Sequence, residues 1–214
     1  FGNIFLSAVQ AMTTDFPSAV RVAGDILHIR GTVLPATLDD SRLVLEQNGK
    51  KIVGQHVIVE TKIPEAQPKL TLTPKARLNP DAARAIQQAD LVIIAPGLLY
   101  GSLAPALLVD GMGQALNDTE APIVYVANLA NKPLHTHGYT VHDYAAEIER
   151  FIAPAHLSMV VYNNEPPTDE QLQTYIAAQE LPVAIDQPTL DTAHYVAVPL
   201  ACLSHDILHQ DPND

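Results

Sequence analysis

The chain has 214 residues, 47% hydrophobic and 17% charged, with 17 prolines, one cysteine and a formal net charge of −12. That length holds one large domain or two small ones with a sizeable core. An acidic surface repels phosphate backbones, which argues against general nucleic-acid binding, and no apolar run reaches the ~18 residues of a membrane span.

The lone Cys202 excludes an internal disulfide and any multi-cysteine zinc site. It reads as a small buried apolar residue and suits a reducing compartment. No basic segment precedes an apolar stretch, so no signal peptide is expected and the expected location is the cytoplasm. The chain opens on Phe1 rather than Met, which reads as a fragment or the ordered part of a longer chain.

From the start, Phe5, Val9, Met12, Phe16, Val20, Ala23 and Leu27 recur at spacings of three and four. That is one apolar face of a helix, broken in two near Asp15-Phe16-Pro17 because proline disfavours a helical residue before it. Residues 29–60 change to short β-type runs: Thr32–Pro35, Arg42–Glu46 and Gln55–Val59. Asn48-Gly49 tolerates positive φ at both turn positions and predicts a hairpin. Asp39-Asp40 reads as a solvated turn, and Lys69–Pro74 as a further strand.

An alternation follows. Asn79-Pro80-Asp81 starts a helix, with Asn as cap and Pro at the first helical position. Asp90–Gly97 is an apolar strand ending in a Pro-Gly loop, and Leu103–Leu116 is helical. Ile123–Asn128 is a buried strand. Thr140 caps a helix to about Phe151, and Leu157–Tyr162 is a strand. Thr168 with Gln171 forms a capping-box pattern opening a helix to Gln179. Leu181–Ile185 and His194–Val198 are the last strands. Continuous apolar strands between helices mean a parallel sheet covered on both faces. The expected fold is α/β: Rossmann-like, three-layered, mostly parallel, with an antiparallel β extension from residues 29–75.

Ligands of such sheets bind beyond the carboxyl ends of the strands. Three loops stand there. Pro96-Gly97-Leu98-Leu99-Tyr100-Gly101-Ser102 precedes a helix, whose N-terminal amides attract phosphates. In it Gly97 and Gly101 would let a ligand approach the backbone, and Ser102 would cap the helix or contact phosphate. Residues 128–142 carry Asn128, Lys132, His135, His137 and His142. His135 and His137 alternate rather than share a helical face, which disfavours a metal site and leaves a polar ligand-facing loop with Lys132 toward phosphate, or a solvated loop. Asn163-Asn164-Glu165 reads as a turn closed by side chains. His205-Asp206 reads as surface. There is no nucleophile elbow, Walker loop or Gly-x-Gly-x-x-Gly after a strand, which disfavours a nicotinamide oxidoreductase.

Four ordered segments resemble the YvcK/CofD family. Phe1–Ala8 resembles the end of its GHSLGNLLLAAL segment, and Arg30–Thr37 its RGRVLPAT. Ala95–Ser102, followed by Pro105 and Leu107–Val109, resembles GPGSLYTSILPNLLV. Asn128-Leu129, Pro133 and Gly138-Tyr139-Thr140 with Asp143 resemble its NLMTQPGET-GYT-DH. Leu98, Gly101, Lys132, Leu134, His135 and Tyr144 depart from the pattern, and its GGGTG loop and acidic DDGG segment are absent.

The resemblance implies a single CofD-like domain over 1–214 that lacks the N-terminal glycine-rich phosphate-binding segment. It implies one of two functions. One is a YvcK-like regulator of carbon metabolism, cell wall and cell shape that binds a nucleotide ligand such as a UDP-sugar. The other is a CofD-like transferase moving a phospholactyl group from a nucleotide diphosphate to a deazaflavin hydroxyl, which would call for Mg²⁺. The expected ligand-binding residues are Asn3, Pro96, Gly97, Tyr100, Gly101, Ser102, Asn128 and Lys132, with no catalytic residue or metal ligand assigned. Leu98-Leu99-Tyr100 is read as an exposed apolar stretch for ligand cover or a homodimer contact.

Overall fold

The computed structural model describes residues 2–64, 67–186 and 194–200. Cys202 and His205-Asp206 lie outside the described residues. Two helices come first, α1 (Gly2–Ala11) and α2 (Phe16–Ile26). The break between them is a capped restart. The Asp15 carboxylate accepts from the Ser18 amide at 2.8 Å, and Pro17 sits in the first turn, where its missing N–H costs nothing.

A three-stranded antiparallel sheet follows, β1 (Arg42–Gln47), β2 (Lys50–Val53) and β3 (Lys69–Thr73), in the order β2-β1-β3. Asn48 and Gly49 turn the hairpin with φ of 52° and 71°, both in the left-handed region such a turn requires. The second hairpin strand is Lys50–Val53, not Gln55–Val59. Residues Gln55–Val59 form a short helix, α3, despite their β-branched run. Its Ile58 is fully buried, and the Ile58 carbonyl accepts from His135 Nε2 at 3.1 Å, so tertiary contacts override local propensity. Thr32–Pro35 forms no strand either. The Pro35 and Ala36 carbonyls instead accept from the Asn79 side chain and backbone, at 3.0 and 2.9 Å.

The alternating half begins with α4 (Pro80–Gln87), capped by Asn79 as expected. Then come β4 (Val92–Ile94), one π-helical turn (Leu99–Leu103), α5 (Ala104–Leu107) and α6 (Met112–Asn117). The single helix expected over Leu103–Leu116 is therefore split. Gly111 has φ 94°, and Asp110 is drawn into a parallel bridge with Arg77: its amide donates to Ala76 O and its carbonyl accepts from Leu78 N. A residue that bonds sideways to another segment cannot also propagate a helix.

The remaining elements are β5 (Ile123–Val126), β6 (Ala130–Asn131), α7 (Val141–Ile152), β7 (Met159–Asn163), α8 (Asp169–Ala177), β8 (Leu181–Pro182) and β9 (Tyr195–Val198). The capping box expected at Thr168 with Gln171 forms, and the Thr140 cap proves to be a second one, with Asp143. Strands β4, β5, β7 and β9 make one four-stranded sheet, parallel throughout and in that order. The segment 181–185 stays outside it: β8 pairs only with β6, antiparallel. The antiparallel β extension is a second sheet rather than added strands. It shares one core with the first, in which Leu43, Leu45 and Leu70 join Tyr100, Tyr125, Ile148 and Val160.

Cover of the parallel sheet is uneven. Ile94, Tyr125 and Val160 stand side by side on one face and are buried. On the other face Val124, Val126, Met159 and Val161 are only half-buried, and Ile93 is 57% exposed. Among the described residues no helix is long and apolar enough to cross a membrane.

Candidate functional site

The carboxyl ends of β4, β5 and β7 lie side by side, because these strands are neighbours in one parallel sheet. Asn128, two residues past β5, ties the first two ends together. Its Nδ2 donates to the Gly97 carbonyl at 2.8 Å, and its Oδ1 accepts from the Tyr125 hydroxyl at 3.0 Å. Both ends of this amide are thus committed to holding the loop after β4 against the loop after β5.

Beyond β5 and β7 opens a cleft of about 270 Å³. Asn128, Leu129 and Val141 line one side; Asn163, Asn164, Glu165 and the two prolines after it line another, with Gln171, Tyr175 and Val183 completing it. The walls are fixed locally. Val183 N donates to Leu129 O and Val141 N to Ala184 O, at 3.0 Å each, so the β6–β8 pair braces one side. Asn163 closes the turn after β7: its Nδ2 donates to Glu165 O at 2.6 Å, and its Oδ1 accepts from Glu165 N at 3.3 Å and Leu200 N at 3.0 Å. The turn expected at Asn163–Glu165 is present, and it also forms part of the cleft.

The residues of the loop after β4 divide into outward and inward groups. Pro96 and Ser102 are exposed, and Gly97 is half-buried. Leu99, Tyr100 and Gly101 are buried, so Leu98-Leu99-Tyr100 is not the exposed apolar stretch the sequence suggested; only Leu98 is half-exposed. A Cβ on Gly101 would come within 2.6 Å of Leu98 Cδ2 and 2.8 Å of Val59 Cγ2. The space that glycine leaves is filled by protein side chains rather than opened to a ligand. At Gly97 the neighbour is Leu103 Cδ2, at 3.1 Å.

Tyr100 anchors a buried polar network under this loop. Its hydroxyl donates to Glu147 Oε2 at 3.0 Å and lies 2.7 Å from the Tyr139 hydroxyl. Tyr100 has one proton to give, so Tyr139 donates to Tyr100. Glu147, itself buried, accepts from Arg150 Nη2 at 2.7 Å and Nε at 3.1 Å. Burial raises the Tyr100 pKa far above that of a free phenol, and the hydrogen bond to Tyr139 and the charge of Glu147 raise it further. Tyr100 therefore works as a neutral strut between the loop after β4, the Gly138–Thr140 segment and α7.

The 131–142 segment is mostly structural. Lys132 forms an ion pair with Glu180, and its amide donates to Thr136 Oγ1 at 3.0 Å. His135 is buried, with Nε2 on the Ile58 carbonyl; Nε2 then carries the proton, and Nδ1 has no hydrogen-bond partner among the described residues. Burial lowers its pKa, since charging it there forfeits hydration. His142 is exposed, with Nδ1 3.2 Å from the Tyr195 hydroxyl. Asn3 lies in the first turn of α1.

Of the residues picked from the sequence, Asn128 is the one that lines the cleft. Gln171, Tyr175 and Val183 were not singled out. Gln171 carried a signal only for helix capping, and nothing in the local pattern of the other two told a cleft wall from a core position.

A family model described as 2-phospho-L-lactate transferase CofD matches residues 1–201. The chain is 37% identical over 193 residues to a putative gluconeogenesis factor of Nostoc sp. (strain PCC 7120), covering 87% of this chain and 41% of that protein. It is 33% identical over 177 residues to the putative gluconeogenesis factor of Thermotoga maritima, covering 81% and 55%. To the gluconeogenesis factor of Bacillus subtilis (strain 168) it is 32% identical over 190 residues, covering 86% and 58%. The chain thus spans about half the length of these relatives. A crystal structure of a UPF0052 family member from Bacillus halodurans superposes with a TM-score of 0.82 at 27% identity, covering 92% of this chain and 64% of that one.

Proposed function

Because this chain belongs to the CofD family, we propose that it is a YvcK-like regulator of carbon metabolism that binds a nucleotide ligand of the UDP-sugar type in the cytoplasm. The observation that carries the reading is that the ends of the parallel strands β5 and β7 open onto one cleft, with Asn128 on its wall latching the neighbouring loop after β4 through the Gly97 carbonyl. Strand ends of an α/β sheet are where such ligands sit, and relatives spanning most of this chain are named gluconeogenesis factors. The base end of the ligand would lie toward the cleft and its diphosphate toward the exposed part of the Pro96–Ser102 loop. Effects on cell wall and cell shape, and a homodimeric state, belong to the same reading.

A second reading is favoured by the family model's own description: transfer of a phospholactyl group from a nucleotide diphosphate to a deazaflavin hydroxyl. That chemistry would call for Mg²⁺ held by carboxylates. Among the described residues no three His, Cys, Asp or Glu side chains converge as such a site needs. The described residues do not fit the ion.

Thermal shift separates the readings. UDP-N-acetylglucosamine, UDP-glucose, NADP and a GDP/deazaflavin/Mg²⁺ mixture are compared, each at a hundredfold excess over a micromolar Kd. A true binder adds about 2.7 kcal/mol of stability at that excess. A shift with UDP-sugars alone supports the regulator; a shift with the deazaflavin mixture alone replaces it with the transferase. Asn128→Ala frees the Gly97 loop and is expected to weaken ligand binding at least tenfold by calorimetry while the fold persists; unchanged affinity would remove the latch from the site.

A further inference from the structure

The Asn48-Gly49 turn carries a reactive pair as well as a hairpin. The side-chain amide of an asparagine can be attacked by the backbone nitrogen of the residue that follows it, and asparagine is one of the thermally labile residues. The attack needs a small following residue, an uncommitted N–H and side-chain amide, and a backbone able to move. Asn48 is the one asparagine in the chain that a glycine follows.

The structure disfavours the other described asparagines. Asn79 precedes Pro80, which has no N–H. The N–H groups after Asn117, Asn131, Asn163 and Asn164 are held by hydrogen bonds: Asp118 N donates to Gln114 O at 2.9 Å, Lys132 N to Thr136 Oγ1 at 3.0 Å, Asn164 N to Val198 O at 3.2 Å and Glu165 N to Asn163 Oδ1 at 3.3 Å. Asn128 has both ends of its side chain bonded. Asn3 is followed by the β-branched Ile4 in the first turn of α1.

At the hairpin tip the reverse holds. Asn48 and Gly49 are exposed, and neither the Asn48 side chain nor the Gly49 N–H has a hydrogen-bond partner among the described residues. A Cβ at Gly49 would meet nothing within 4 Å, so the attacking nitrogen is unhindered. Lys50 and Lys51 follow and are exposed. Cations there favour loss of the Gly49 amide proton, because they stabilise the anion that remains. Strand β2 is the edge of its sheet, paired with β1 alone, so the tip opens at small cost.

We propose that Asn48 is a site of spontaneous deamidation and isomerisation whose only co-reactant is water. The Gly49 nitrogen gives up its proton and attacks Asn48 Cγ. The new N–Cγ bond closes a succinimide ring, and the side-chain nitrogen leaves as ammonia with that proton. Water then opens the ring. Breaking the bond from nitrogen to Cγ gives aspartate. Breaking the bond from nitrogen to the Asn48 backbone carbonyl carbon gives isoaspartate, in which the chain runs through the side chain, gains a methylene and leaves the α-carboxylate free. Either product puts a negative charge beside Lys50, but they differ in their effect on the hairpin. Aspartate tolerates the left-handed conformation of residue 48, at φ 52°, so the turn survives. Isoaspartate adds a backbone atom to a two-residue turn, and turn length sets the register that pairs Gln47 with Lys50 and Val44 with Val53.

The test is to age the full chain in mildly alkaline buffer and follow the tryptic peptide 43–50 by mass spectrometry, with electron-transfer fragmentation to tell isoaspartate from aspartate. The expected result is conversion of amide to acid at Asn48 of the folded chain before any other described asparagine, and faster conversion in urea, where the turn no longer restrains the nitrogen. Asn48→Gly keeps a residue that accepts positive φ and should leave the mass of this peptide constant. Hydrogen exchange should show amides 50–53 losing protection in the isoaspartate form and keeping it in Asn48→Asp. Conversion at another described asparagine first, or at Asn48 only after unfolding, overturns the site. Isoaspartate that leaves amides 50–53 protected overturns its effect on the hairpin.

Discussion

Helix α7 and the α1–α2 pair carry the same local signal and live in different surroundings. Both show apolar residues at spacings of three and four behind a capped start, Thr140 for α7 and Asp15 for α2. Helix α7 is enclosed: Val141, Tyr144, Ala145, Ile148 and Ile152 are buried, and Glu147 and Phe151 are buried against Tyr100 and Arg150. Along α1 and α2 cover is partial: Val9 and Ala23 on the stripe are buried and Phe5 and Val20 half-buried, while other apolar residues on and beside it meet water. Ile4 is 75% and Met12 86% exposed, and Ile26 and Leu27 are more than half exposed. Periodicity states that a helix has an apolar face; it says nothing of what covers that face. Most helical stability comes from such cover rather than from propensity, so the two regions should respond very differently to change.

The sharpest break in that contrast is Glu147→Ala. It leaves Arg150, which is partly buried, without its carboxylate and removes the Tyr100 acceptor. Losing one partner of a buried pair costs roughly 3 kcal/mol or more, read as a lower urea midpoint. The double variant Glu147→Met with Arg150→Met should recover much of that loss, because both desolvated charges go together.

Gly113→Ala comes next. The added Cβ would meet the Ile152 and Ala153 carbonyls at the end of α7, which are backbone and cannot swing aside. Overpacking of this kind costs about 1–3 kcal/mol, again measured by urea unfolding.

His135 gives a pH-dependent contribution of the α7 side of the molecule. Its folded pKa lies below that of a free imidazole because it is buried, so the unfolded chain takes up the proton first. The sign follows. Stability from this group is complete above about pH 6.5, falls as pH drops through that value, and stops changing below the folded pKa. Urea midpoints at pH 7.5 and 5.5 should show the loss, and His135→Asn should flatten it.

The smallest effect belongs to the exposed pair. Met12→Ser should change stability by less than about 0.5 kcal/mol, and amides of α1 and α2 should exchange well before those of α7. A loss as large as that of Glu147→Ala would mean that the two regions are covered alike and would break the comparison.

Legibility from sequence tracked the range of the interaction that fixes each feature. The Thr140 cap, the capping box at Thr168, the Asn79 cap and the Asn48-Gly49 turn were readable because the partners that define them lie within three residues. The alternation of strands and helices was readable for the same reason, through side-chain period. Within the candidate site, Asn128 stood out from its place after an apolar strand. Gln171, Tyr175 and Val183 did not, since a cleft wall is made by segments that meet only in the fold.

What the sequence determined alone, then, was the α/β class, the strands near 92–94, 123–126, 159–163 and 195–198 and the caps and turns that punctuate the chain, because each is set by backbone bonding and side-chain period over a few residues. The tertiary structure decided the rest. It turned Gln55–Val59 into a helix by burying Ile58 beneath His135, cut Leu103–Leu116 at Gly111 through the Asp110–Arg77 bridge, and drove Tyr100 inward onto Glu147. Each of those outcomes hangs on a contact between residues distant in sequence, whose burial outweighs the local preferences of the residues involved.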